Sequence, residues 1–327
     1  LSAVPGARPL AAADPRPGRA CPVSYCYAPS VFDRAPDLTA RTLYVVGGLY
    51  GNVEALDAIA ALAAAEGDVS VVFNGDFHWF DVDAADFAAI GRGVARHARL
   101  RGNVETELAQ EASDAGCGCA YPADVSDAEV SRSNAILERL RETARADEAG
   151  RVALGGLAMH LVAGVDGARI GIVHGDASSL AGWGFAAARL DAPGHRRWID
   201  NAFRAARVDA FACSHTCLPA MRRFAVDGRE AVVANNGAAG MPNFSGTRFG
   251  LITRISGRPY RGAARLHGTS VAGVFVEALR VDYDDARWMK RFLASWPEGS
   301  SAHASYHARL RAGPRHAVAD AAPRAGS

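Results

Sequence analysis

Lysine is almost missing from this 327-residue chain: Lys290 is the only one, so nearly all of the 36 basic side chains are arginine, set against 35 acidic ones. The net charge of +1 leaves no basic excess for a broad nucleic-acid surface. No apolar run approaches the roughly 20 residues needed to cross a bilayer. Residues 1–20, rich in Ala, Pro and Arg, lack the continuous apolar stretch of a signal peptide. A cytoplasmic chain without membrane contact is the expectation. Internal repeats, a phosphate-binding P-loop and a dinucleotide fingerprint are also absent, and the 34 glycines are patterned for neither motif. A disulfide framework is not needed, because a chain that is 49% hydrophobic has ample material for a core. The six cysteines include two local pairs, Cys21/Cys26 and Cys117/Cys119, which leave a structural zinc, a disulfide or free thiols open. Cys213 closes an apolar run and belongs in the core.

What the chain does contain is five short segments, each placed where an apolar run passes into a loop. They are Gly48-Leu49-Tyr50-Gly51-Asn52, Gly75-Asp76, Gly102-Asn103-Val104-Glu105, His174-Gly175-Asp176 and Ser214-His215-Thr216-Cys217. Taken singly, each reads as an ordinary turn, cap or core histidine. Together, Asp76, Asn103, His174 and His215 offer one carboxylate, one amide oxygen and two imidazoles. That mixed O/N set suits one divalent ion such as manganese, iron or zinc.

The order, spacing and flanks of these segments resemble the calcineurin-like metallophosphoesterase superfamily, whose pattern runs D-x-H, GD, GNH-D/E, H and GH-x-H, over roughly residues 41–285. The resemblance implies a four-layer α/β/β/α sandwich. It also implies two metals about 3.5 Å apart, sharing an aspartate and a water-derived hydroxide that attacks phosphorus. Carried over residue by residue, Asp76 matches the bridging aspartate, Asn103 the amide ligand, and His174 and His215 the two histidines of the second metal. The first metal's pattern is broken, since D-x-H reads Gly48-Leu49-Tyr50 and the final histidine reads Cys217. Tyr50 and Cys217 remain chemically competent ligands, for ferric iron or zinc. Val104 stands where many relatives carry the histidine that assists the leaving group. His78 is the nearest replacement acid, and Asp176 is a candidate to orient His174.

The resemblance therefore implies a metal-dependent phosphoesterase acting on a small phosphomonoester, phosphodiester or nucleotide. The alternative is a catalytically silent module of the same fold that serves a protein partner. Strands are expected at Thr42–Val46, Val69–Phe73, Met159–Val162, Arg169–Val173 and Ala210–Ser214, with helices after Asn52 and over Phe87–Arg99, Ser126–Ala146 and Arg196–Arg207. Residues 106–124 read as a loop beside the pocket. Met221–Val226, Glu230–Ala234 and Phe249–Ile255 are expected to belong to a second sheet, with Val274–Asp282 a further strand and Asp284–Trp296 a peripheral helix. The chain is expected to divide into an N-terminal arm over 1–40, the metallophosphoesterase-like domain over 41–296 and a flexible tail over 297–327.

Overall fold

The computed structural model describes residues 14–111 and 113–326. Residues 1–13 of the expected arm lie outside the described residues. The rest of that stretch packs onto the fold: Tyr25 and Phe32 are buried, and Leu38–Ala40 forms a strand, β1. Only Arg41 separates β1 from β2 (Thr42–Val46), yet the two strands go to different sheets.

All five residues of β2 are buried because its alternating side chains serve two cores. Leu43 and Val45 point between the sheets, while Tyr44 and Val46 pack under the outer helices. Asn52 then caps the helix Val53–Glu66 by accepting from the Ala55 N–H at 2.9 Å. β3 (Val69–Asn74) runs parallel to β2, and β4 (Ala98–Leu100) parallel to β3. The intervening helix occupies Ala84–Val94 rather than Phe87–Arg99. Asp83 caps it with two backbone N–H bonds, and its earlier end frees Ala98–Leu100 to pair.

β5 (His160–Val165) and β6 (Ala168–Val173), both expected as strands, pair as an antiparallel hairpin. They are followed by β7 (Ala210–Cys213), β8 (Ala220–Val226), β9 (Arg229–Asn235), β10 (Gly250–Ser256), β11 (Arg265–Val271), β12 (Val274–Val281) and β13 (Arg324–Ala325). One sheet has the order β1-β5-β6-β7-β9-β8-β13, the other β11-β12-β10-β2-β3-β4. β8, β9 and β10 therefore do not share a sheet as the sequence suggested. The hairpin β8–β9 adds to β7, and the turn after Asn235 carries the chain across to the other sheet. Asn236 fastens that crossing, donating to the carbonyls of Gly47 at 3.0 Å and Leu251 at 2.9 Å.

Side chains from both sheets meet in a central core, including Val45, Val72, Ile170, Ile172 and Val232. Helices Val53–Glu66, Ala84–Val94 and Asp127–Arg145 cover the outer face of one sheet, and Arg196–Ala206 covers the other. The layers are α/β/β/α, as expected. None of the described helices is long and apolar enough to cross a membrane.

The expected tail is not a tail. Ser300 caps a helix over Ser301–Ala312, Ala302 and Leu310 are buried, and β13 pairs in parallel with β8. Ala-rich sequence has high helix propensity, and the contacts that hold this helix come from residues far away in the chain. All six cysteines are free.

Candidate metal centre

Each of the four donor side chains follows the carboxyl end of a strand, where an open α/β sheet places its crevice. Asp76 follows β3 in a left-handed backbone conformation, φ 50°. Glu105, three residues into the segment that begins with Gly102, holds it there. One oxygen of the buried Glu105 carboxylate accepts from the Asp76 and Gly102 N–H groups, both at 2.8 Å, and the other from Phe77 N–H at 3.0 Å. Burial, followed by the nearby Asp76 charge, raises the pKa of this carboxyl.

The other donors are aimed by backbone carbonyls. Asn103 donates its amide N–H to the Cys117 carbonyl at 2.9 Å, which turns its Oδ1 toward the cavity. His174 Nδ1 donates to the Asn74 carbonyl at 3.1 Å, leaving Nε2 as the free lone pair. His215 does the reverse: Nε2 donates to the Cys119 carbonyl at 3.1 Å, and Nδ1 faces inward.

His174 Nε2 lies 3.0 Å from His215 Nδ1, 3.1 Å from Asn103 Oδ1 and 3.3 Å from Asp76 Oδ2. A tetrahedral ion with bonds of about 2.1 Å holds its ligands about 3.4 Å apart, so this spacing fits one ion with little adjustment. The ligand atoms of Asp76, His174 and His215 all lie within 4.8 Å of one another. Gly102 permits that convergence, because a Cβ there would sit 2.3 Å from Asp76 Oδ1. Burial and then the neighbouring His174 lower the His215 pKa to about 3, favouring the neutral imidazole that a metal requires. Burial opposes charge on His174 too, but the Asp76 carboxylate outweighs it and the pKa is raised.

No family model matches the chain, and no curated protein does. Solved structures do. A hypothetical protein from Pyrococcus horikoshii OT3 superposes with a TM-score of 0.56 at 14% identity, covering 84% of this chain and 99% of its own. A metallophosphoesterase from Sphaerobacter thermophilus gives 0.51 at 17% identity, covering 84% and 100%. The fold is that of the metallophosphoesterases.

Beside the four converging side chains, the space next to Gly48 is filled by protein. A Cβ built on Gly48, φ 65°, would meet the Tyr50 ring at 2.8 Å, so the ring lies where a side chain from position 48 would project. Tyr50 and Cys217 bond to each other, Oη to Sγ at 2.8 Å. Burial raises both pKa values: for Tyr50 the Cys217 and Asp76 charges reinforce it, and for Cys217 the Arg309 charge opposes it without prevailing. Both side chains have positive φ, as does Asp76. Left-handed backbone at three non-glycine residues around one cavity is the kind of strain that concentrates at functional sites.

Two expected roles are not supported. His78 is buried outside the metal cavity, with Nδ1 2.5 Å from Asp81 Oδ2 and its ring stacked on Phe87 at 4.0 Å. The chain after Asp76 turns away from the ligands, and Asp81 takes up the imidazole. Asp176 accepts from the backbone of Ser178, Ser179 and Gly184, at 2.8, 3.0 and 2.9 Å, and so shapes a loop. The Asn74 carbonyl orients His174 in its place.

The cavity beside the ligands has a volume of 150 Å³ and is lined in part by Val104, Trp79, Trp183, Tyr306 and Arg309. Trp183 donates its indole N–H to the Cys119 carbonyl at 3.0 Å. Phe185 is core, and His195 bonds the Gly184 carbonyl at 3.0 Å. Sequence reasoning missed the roles of Glu105, the Cys117 and Cys119 carbonyls, Tyr306 and Arg309. An acidic residue three positions after Gly102 was a readable capping signal for Glu105. The others depend on long-range contacts that leave no local mark.

Proposed function

We propose that the chain is a phosphoesterase using one divalent ion, held by Asp76, Asn103, His174 and His215. The observation that carries this reading is the convergence of the other three donor atoms on His174 Nε2 at 3.0–3.3 Å. When bound, the ion supplies an acidified water and a Lewis-acid contact to the phosphoryl oxygen. The Asn74, Cys117 and Cys119 carbonyls keep the donors in the required tautomer and rotamer without rearrangement. A cavity of 150 Å³ corresponds to about five waters at about 30 Å³ each. It admits a phosphoryl group with a small ester part, in keeping with a small phosphomonoester, phosphodiester or nucleotide whose bulk stays outside.

Val104 has no proton to give. Hydrolysis should accordingly be slow and should favour esters of acidic alcohols, with manganese the most effective ion. Tyr50 and Cys217 act as a neutral plug in place of a second ion, and that plug is also what favours the silent-module alternative. The test is elemental analysis of metal-loaded protein with turnover on a broad phosphoester panel. One ion per chain and turnover lost in His215→Ala are expected. No turnover above the His215→Ala background with any metal sinks the enzymatic reading in favour of the module.

A further inference from the structure

The helix Ser301–Ala312 brings one cation to the metal cavity. Arg309 is the only Arg or Lys among the described residues lining that cavity, and among the described residues it pairs with no carboxylate. Its guanidinium is nevertheless fixed: Nη2 donates to the Cys217 carbonyl at 2.7 Å, and Nε to the Pro242 carbonyl at 3.1 Å. Nη1 has no protein partner among the described residues. A guanidinium anchored through two nitrogens with the third left over is preorganised to bind an anion as well as to tie its helix to the loops beneath it.

We propose that Arg309 is the anion clamp of this site, contacting the phosphoryl oxygens through Nη1 and supplying part of the positive charge that a second ion would bring. The inference rests on the proposed metal site. With Tyr50 and Cys217 bonded to each other where further ligands would be needed, an ion at the cavity floor faces the Asp76 carboxylate with the Glu105 carboxyl behind it. Arg309 adds a positive charge on the side where a phosphoryl group would enter. The Cys217 carbonyl links the two features, since the residue that bonds Tyr50 also anchors the arginine. Arg309 thereby becomes a catalytic residue in the strict sense, touching the group that reacts.

The experiment is calorimetric titration of inorganic phosphate into the manganese-loaded full chain, with manganese content measured on the same samples. Arg309→Ala is expected to weaken phosphate binding by about tenfold or more, the loss of one charge-assisted hydrogen bond, while retaining the wild-type manganese content. Arg309→Lys should recover part of the affinity. Wild-type phosphate affinity in Arg309→Ala, or a parallel loss of manganese, overturns the clamp. So does a wild-type protein that binds manganese but not phosphate. A crystal structure of the wild-type protein with manganese and phosphate is independent of any variant's folding: phosphate within hydrogen-bond reach of Nη1 supports the inference, and phosphate seated out of that reach overturns it. The two readings fail separately, because a wild-type protein that binds phosphate through Arg309 without turnover loses the enzyme and keeps the clamp. Turnover unchanged in Arg309→Ala does the reverse.

Discussion

At the residue scale, Gly48 and Tyr50 share one small volume beside the cavity. A side chain at position 48 and the ring at position 50 compete for the same space, with 2.8 Å between the built Cβ and the ring edge. Backbone at φ 65° adds a second penalty for any side chain there. Gly48→Ala should destabilise the protein by about 1–3 kcal/mol through clash and strain together. Tyr50→Ala removes the ring and with it the clash, so the double variant should be more stable than the two single effects added together. Urea unfolding of the four proteins gives the coupling, expected at about 0.5 kcal/mol or more. Additive effects would mean that the ring is not what occupies the position. The residue identities were readable in the sequence, but their competition for one volume was not, since nothing local says where a ring two positions away will turn.

At the element scale, the short helix Asn103–Ala109 joins the β3 and β4 loops through one side chain. Glu105 takes the N–H groups of Asp76, Phe77 and Gly102, so the bridge from one strand end to the next is a carboxylate. Glu105→Ala leaves these buried donors without an acceptor, at about 1–3 kcal/mol for each one unpaired. Asp76 then loses the restraint that keeps it in its left-handed turn, and manganese retention after dialysis should fall well below wild type while Asn103, His174 and His215 stay intact. Full retention would show that the loop is held by something else. Local pattern was a good guide to β2, β3, the β5–β6 hairpin and the helix Asp127–Arg145, whose Ser126 and Glu129 form a capping box. It misled at the helix Ser301–Ala312, whose largely polar surface composition conceals a buried Leu310 and an edge-on contact between Tyr306 and Phe80 at 5.0 Å.

At the scale of the whole molecule, the donors come from loops of both sheets, so an ion would tie the two halves of the sandwich together. Asp76 and Asn103 belong to the sheet containing β2, and His174 and His215 to the sheet containing β6. Binding confined to the folded state stabilises it by mass action, about 2.7 kcal/mol at a hundredfold excess over Kd. The unfolding midpoint should rise with manganese concentration and return to the apo value with a chelator, and the dependence should vanish in His174→Ala. A wild-type midpoint indifferent to metal would remove the site from the folded protein altogether.

The sequence by itself determined the layer architecture and the set of four donors. Buried strands need alternating apolar faces, and a metal site needs particular donor types at strand ends, so both requirements leave marks in local order and spacing. Only the tertiary structure decided how the site is completed. The orientation of His174 and His215 depends on carbonyls at Asn74 and Cys119, 100 and 96 residues away in the chain. Tyr50 and Cys217 meet across 167 residues of chain, and the cavity's arginine arrives from residue 309 through the Cys217 carbonyl. Such contacts are set by how packed elements meet, and hydrogen-bond geometry over those separations has no periodicity for a sequence to display.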